Sequence, residues 1–277
     1  MNEHAVSLNS AEGGLFVSDV VRVFPDDPSA CPLPLVETAG RAWAVVWPGV
    51  GAHLRTFHRI SLTRGGRTHL MAHPMEAVYY VIGGTATVDR GANRNVWSLP
   101  AGTMVLVHPG TSYRFQAADG GAEIVGGPCP ADPGVYADLG VVVRPQRGGG
   151  IDLFHRDHPD LMMPIIARDA RLIVWAGRGS QTANMNYVDM QPGERNVPHI
   201  HAGSEDTLYV LDGKGTIEDL SHGVELEFEA PCAVHVPVGL MHAVRADRGC
   251  RVESVGGPSP VDWNMLVKVG GYVRLGR

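Results

Sequence analysis

Short runs of β-branched and aromatic residues, broken at close intervals by Gly, Pro and Asp, recur along the whole chain. "AWAVVWPG" at 42–49, "VYYVIGGTATV" at 78–88 and "LYVLDGKGTI" at 208–217 are examples. Runs of this kind read as β-strands closed by tight turns. No long stretch carries apolar residues at helical spacing, and the best candidate for a short helix is "PDLMMPIIARDA" at 159–170. The pattern predicts an all-β protein.

The runs also repeat. Tyr80-Val81-Ile82-Gly83-Gly84 falls on Tyr209-Val210-Leu211-Asp212-Gly213, an offset of 209 − 80 = 129. "HPGTSY" ending at Tyr113 falls on "PVGLMH" ending at His242, again 129 apart. "VVWPG" ending at Gly49 meets "IVWAG" ending at Gly177, one residue out of step, and "EIVGGPCP" from Glu123 returns as "ESVGGPSP" from Glu253. Echoes in one order and nearly one register imply a duplication. The expected organisation is an N-terminal arm (1–40), a first barrel (41–134), a linker (135–168) and a second barrel (169–277). A duplicated β unit of this size suits a small closed barrel or jelly roll that holds a ligand in its mouth. Trp43, Trp47 and Trp175 recur at matching places and read as packing. Edge strands of two such barrels invite pairing across subunits, so a homodimer is expected.

Composition changes this picture little. With 277 residues, 44% of them apolar and 19% charged, the chain has the make-up of a globular protein. No apolar run is long enough to span a bilayer, and "MNEHAVSLNSAEGG" lacks the pattern of a signal peptide, which points to the cytoplasm. The net charge is −6, and only Lys214 and Lys268 are lysines. No basic cluster could track a phosphate backbone, so the expected partner is a small molecule and not nucleic acid. Cys31, Cys129, Cys232 and Cys250 form no CxxC pair and read as core fillers.

Chemistry concentrates in the second copy. "PHIHAGSEDTLYVLDGKG" places His199 and His201 two apart, on one face of an extended segment. An acid follows at Glu205 or Asp206. Strand parity favours Asp206, because Asp206, Leu208 and Val210 share a face, whereas a bulge at "SED" would instead bring Glu205 inward. "VPVGLMHAV" then delivers His242 after a Pro-x-Gly turn. Imidazoles and a carboxylate gathered this way suit a divalent metal. Subtracting 129 from His199, His201, Asp206 and His242 gives Leu70, Ala72, Ala77 and Tyr113, a poor ligand set. His69, His73 and Glu76 lie close by and could act in a slipped register. Arg195 and Arg245 could clamp a carboxylate, and Tyr187, Met185 and Met241 could line the barrel.

Gly193, five residues, His-x-His, an acid, a strand-closing Gly, and later Pro-x-Gly-x-x-His resemble the two motifs of the cupin superfamily. The resemblance implies two tandem double-stranded β-helix jelly rolls, with His199, His201 and His242 as ligands of one metal, manganese or iron(II), in the C-terminal barrel. Length, "MEAVYYVIGG" and "ANMNYVDMQPGE" are similar to the ureidoglycine aminohydrolase (glyoxylate-induced protein) family, which implies ammonia release at a manganese site. This chain departs from that family, which has Glu where His199 stands, Gln where His242 stands, and a Lys near "GGPSPVDWN". Three readings follow from the resemblance: a metal-dependent hydrolase or lyase acting on a small carboxylate- or ureido-bearing metabolite, an Fe(II) dioxygenase, and a binding protein without catalysis.

Overall fold

The computed structural model describes residues 20–91, 95–136 and 149–263. The start of the chain, the middle of the expected linker and Lys268 lie outside the described residues. Strands and turns make up nearly everything described. The short helix expected at 159–170 does not form: Leu161–Met162 is a strand that pairs antiparallel with Asp169–Val174. Pro164 lies between them and has no N–H for a helical hydrogen bond.

Two barrels are present. In the first, the sheet order is Pro32–Leu33, Val36–Val46, Phe57–Thr68, Arg114–Cys129, Glu76–Asp89, Thr103–Val107 and Ile151–His155, with Val96–Pro100 beside Glu76–Asp89. The second has a seven-stranded sheet, ordered Arg22–Pro25, Cys232–Val236, Glu205–Asp212, Val252–Ser259, Met185–Met190, Asp169–Val174 and Leu161–Met162. A three-stranded sheet of Val224–Glu229, Lys214–Asp219 and His242–Ala246 completes it. The repeated glycines Gly84 (φ 72°) and Gly213 (φ 94°) mark the same bend in both copies. A Cβ at either would collide with a backbone carbonyl, of Gly121 or of Arg251. Only glycine fits there.

The central strands are apolar without alternation because both of their faces are covered. Ala77, Tyr79 and Val81 belong to the first barrel's core, whereas Val78 and Tyr80 belong to a cluster shared between barrels with Phe57, Met185, Tyr187, Tyr209 and Val255. Domain boundaries differ from the sequence expectation at this face. The arm strand Arg22–Pro25 joins the second barrel by pairing with Cys232–Val236. Reciprocally, Ile151–His155 from the expected linker joins the first by pairing with Thr103–Val107. The offset 151 − 22 = 129 shows that both are the leading strand of one repeated unit, each exchanged onto the other copy. Asp26, just past the first of these strands, bonds Trp43, Arg59 and Tyr209, so one carboxylate ties the arm to both barrels. The repeated tryptophans do pack as expected: Trp47 lies against Tyr136, and Trp175 against Trp263.

Two glutamates at equivalent positions lock the face. Glu205 accepts from the backbone N–H groups of His53, Leu54 and Arg55 in the first barrel. Glu76 accepts from those of Gln181, Thr182 and Ala183 in the second. Each buried charge is thus solvated by amides of the other copy, which is the condition for burying a carboxylate at all. Burial opposes the charge on Glu76, but the amides of Ala183, Thr182 and Gln181 outweigh it and hold the carboxyl below its ordinary 4.5. A carboxyl lowered on folding stabilises the fold above pH 4.5, and that contribution is lost as the pH falls through the folded-state value. Glu76→Gln is therefore expected to cost about 1–3 kcal/mol at pH 7 and progressively less below pH 4.5. Denaturant unfolding of both proteins across that range measures it; a gap that widens on acidification contradicts the assignment.

Candidate metal centre

Residues 196–201 run extended alongside 239–244. His199 and His242 exchange both backbone hydrogen bonds, at 3.1 and 2.9 Å, and the Gly239 N–H donates to the His201 carbonyl. This two-stranded brace sets His199 and His201 on the same side as His242, with ring centroids of His199 lying 4.9 Å from His201 and 4.3 Å from His242. Asp206 enters from the strand Glu205–Asp212. Ligand-type atoms of His199, His201, Asp206 and His242 all lie within 4.8 Å of one another.

Adjacent residues on that strand point opposite ways. Asp206 faces the barrel interior, and Glu205, the alternative acid, faces the first barrel as the lock described above. No bulge brings Glu205 inward.

Each imidazole is oriented through Nδ1. His199 Nδ1–H donates to the Val197 carbonyl at 2.8 Å, and His242 Nδ1–H to the Leu240 carbonyl at 3.0 Å. His201 Nδ1–H donates to Asp262 Oδ2 at 2.9 Å. A carbonyl can only accept, so the proton sits on Nδ1 and a neutral ring keeps its lone pair on Nε2. Asp206 Oδ2 lies 3.3 Å from His242 Nε2 and 3.6 Å from His201 Nε2. Lone pairs facing a carboxylate at this range repel unless a cation stands among them. Within the cluster, His201 Nε2 and Asp206 Oδ1 are buried without a hydrogen-bond partner. The donor set therefore fits a divalent ion, with the Asp262 contact fixing one ring from behind.

Electrostatics agree. Burial, and then the neighbouring His242, push His199 down to about 4, so that ring is neutral and ready to bind near pH 7. Burial also opposes charge on His201, but the Asp206 and Asp262 carboxylates outweigh it and raise that group. Burial works against the Asp206 charge as well, and the facing His201 and His242 rings more than offset it, holding the carboxyl far below its ordinary value.

A cavity opens beside the cluster. Met163, Ile166, Leu172, Val188, Met190 and Leu208 give it largely apolar walls, and Asn184, Asn186 and Asn196 add carboxamides. Other expected site residues lie elsewhere. Arg195 binds Glu218 through both of its carboxylate oxygens, and Arg245 pairs with Glu218 and Glu225. Both arginines are on the outer face of the small sheet, because position 245 has the opposite parity to His242. Tyr187 and Met185 face the first barrel, Tyr187 beneath the Arg156 and Arg171 guanidiniums at 5.0 and 5.1 Å. Met241 is exposed. Burial pushes the Cys232 thiol up to about 12, as suits a core filler.

Backbone pairing also corrects the alignment of the first barrel. Met71 bridges Tyr113 as His199 bridges His242, and the Gly110 N–H donates to the His73 carbonyl as that of Gly239 does to His201. The equivalents are thus Met71, His73, Ala77 and Tyr113, with an offset of 201 − 73 = 128 before the turn and 129 after it. One extra residue in "HAGSED" over "HPMEA" explains the slip. His73 keeps its own carboxylate, Asp132, at 2.7 Å from Nδ1, but its Nε2 meets the Tyr113 hydroxyl at 2.9 Å, and Tyr113 meets Tyr79. His69 is exposed and Glu76 serves the interface. Asp262 went unnoticed in the sequence, although it follows the repeated "GGPSP" by two residues, as Asp132 follows "GGPCP".

Residues 186–254, which include His199, His201, Asp206 and His242, match the Cupin domain family. The second barrel has the cupin fold. Solved structures extend the likeness of fold to both barrels. An oxalate decarboxylase of Lactobacillus farciminis in complex with formate superposes over 91% of this chain and 88% of its own, at 18% identity and a TM-score of 0.66. A Pseudomonas aeruginosa structure described as a glyoxylate-induced protein covers 91% and 93%, at 15% identity and a TM-score of 0.67. Bacillus subtilis oxalate decarboxylase, described with Mn(II) centres, covers 91% and 79%, at 15% identity and a TM-score of 0.65. At such identities the likeness is one of fold. No curated protein matches the chain in sequence. No helix among the described residues is long and apolar enough to cross a membrane.

In metal-free protein, NMR titration is expected to find His199 neutral down to about pH 4 and His201 charged to above its ordinary 6.5. The His201 contribution to stability is then complete below pH 6.5 and is lost as the pH rises through its raised value. Both rings titrating together at the ordinary value would contradict this electrostatic account.

Proposed function

We propose that this protein is a metal-dependent enzyme with one divalent ion, manganese or iron(II), held in the second cupin by His199, His201, His242 and Asp206. A lyase or hydrolase acting on a small metabolite is the reading the site supports best. One observation carries it: three Nε2 atoms with committed Nδ1 protons and one carboxylate meet at the edge of a chamber with apolar walls. A divalent ion bound there supplies a Lewis acid for charge developing on substrate oxygens. The side chains do the rest. Asp262 holds the His201 ring and its proton, Asp206 supplies the compensating charge, and the Met, Ile, Leu and Val walls exclude water from the reacting groups.

No lysine or arginine lines the cavity among the described residues, so an anionic substrate would be met by the ion and not by an arginine clamp. Fold likeness to an oxalate decarboxylase with Mn(II) centres supports manganese and a small oxygen-rich substrate. A second reading, an Fe(II) dioxygenase, is favoured by a specific feature. The ionisable groups lining the cavity are His199, His201, Asp206 and Asp262, and all four are committed to the cluster. An oxygenation demands less acid–base work from the protein than ammonia release does.

Protein purified without added metal is expected to carry about one Mn or Fe per chain by elemental analysis, and His242→Ala to lose it. Two ions per chain, or none after metal is added back, rules the proposal out. Anaerobic assay separates the readings: a lyase or hydrolase keeps its rate, and a dioxygenase stops. Asp262→Ala is expected to weaken metal binding by about 10–100-fold in chelator competition, far less than the loss in His242→Ala.

A further inference from the structure

Two groups in the second cavity await a partner. The Oδ1 atoms of Asn184 and Asn186 are buried and accept no hydrogen bond, and the two residues are only 1% and 8% exposed. Orientation of the Asn184 amide is forced, because its Nδ2 donates to the Pro258 carbonyl at 2.9 Å, and a carbonyl cannot donate back. Both residues line the cavity that holds His199, His201 and Asp206. Gly257 makes the room: a Cβ there would stand 2.5 Å from Asn186 Nδ2 and 3.2 Å from Asn184 Nδ2.

The same construction recurs in the first barrel with other chemistry. Thr56 stands where Asn184 does, and its hydroxyl donates to the Pro128 carbonyl at 2.8 Å, as Asn184 does to Pro258. His58 stands where Asn186 does; its Nε2 is taken by the Tyr136 hydroxyl at 2.6 Å, and its Nδ1 is buried without a partner. Gly127 lies under both, and its Cβ would stand 2.5 Å from Thr56 Oγ1 and 3.3 Å from His58 Nδ1. The barrel whose centre is filled by tyrosines places no carboxamide at these two positions. The barrel with the four-donor cluster places two, each with an idle acceptor oxygen. An idle buried acceptor costs about 1–3 kcal/mol, a cost that a ligand bearing N–H or O–H donors removes on binding.

We infer that Asn184 and Asn186 are specificity-determining residues that read hydrogen-bond donors on the substrate. The ligand class is a short molecule with an oxygen-bearing group for the metal cluster, an apolar middle matching the Met, Leu and Val walls, and a primary amide, amine or hydroxyl at its other end. This deepens the metal-enzyme reading above and rests on it only for which end faces the cluster. Sites built to hydrogen-bond a donor reject analogues that lack it far more strongly than apolar walls reject a changed methyl.

Succinamate and levulinate test this, being carboxylates of one length that differ in a terminal NH₂ replaced by CH₃. Each is titrated calorimetrically into the full-length protein, manganese-loaded and metal-free, with metal content measured on the same samples. Native protein is expected to bind succinamate at least about tenfold more tightly than levulinate. Asn184→Thr copies the first barrel and keeps the bond to Pro258, and Asn186→Leu removes the other acceptor. Both are expected to shrink the gap to about threefold or less with manganese content unchanged. Equal binding of the two probes by native protein, an undiminished gap in the variants, or no binding of either probe overturns the inference. Should manganese fail to bind, the gap is still read on metal-free protein, so the two proposals fail separately.

Discussion

Two buried carboxylates hold this molecule together in a way the rest depends on. Glu76 and Glu205 each leave their own barrel and take backbone amides from the other. A carboxylate excluded from water demands such donors, so neither barrel can withdraw without orphaning a charge and a row of N–H groups. The same strands that carry these glutamates are apolar on both faces, one face in a barrel core and the other in the shared cluster. The lock and the cluster carboxylate are neighbours. Glu205 is anchored in the first barrel, so Asp206, next along the strand, is driven into the second, where the imidazoles meet it.

Duplication produced two frames, and side-chain volume gave them different interiors. Where the second barrel has His199, His242 and Leu208 around open space, the first has Met71, Tyr113 and Tyr79. The His73–Asp132 pair survives as the counterpart of His201–Asp262, yet a phenol now satisfies the imidazole Nε2. Burial raises the Tyr79 and Tyr113 hydroxyls well above their ordinary values. They remain neutral donors in a closed core. Exchange of the leading strands ties the closed copy to the open one, so the first barrel buttresses the wall and supplies Glu76 and the loop that receives Glu205.

Charge is distributed to match. Arginines congregate outside the cavity, on Glu218, on Tyr187 and at the arm, and among the described residues no lysine or arginine lines it. The positive charge that a ligand meets inside would then come from the ion that the four donors fit, within apolar surroundings that strengthen its pull.

Much of this was legible along the chain. Runs of β-branched and aromatic residues closed by turn residues gave the all-β class, the 129-residue echo gave the duplication, and strand parity set Asp206 against Glu205, because direction within a strand is a local property. The same parity would have placed Arg245 outside. What parity cannot say is which barrel a strand joins. Arg22–Pro25 and Ile151–His155 read as arm and linker because their partners lie far away in sequence, and nothing local marks an exchanged strand. One inserted residue in a turn hid the equivalence of His73 and His201, which backbone pairing across space revealed. Glu205 as a lock, Asp262 behind His201, and the idle oxygens of Asn184 and Asn186 are likewise facts of tertiary structure. Each depends on which distant group meets, or fails to meet, a buried polar atom, and only the packing of the two barrels decides that.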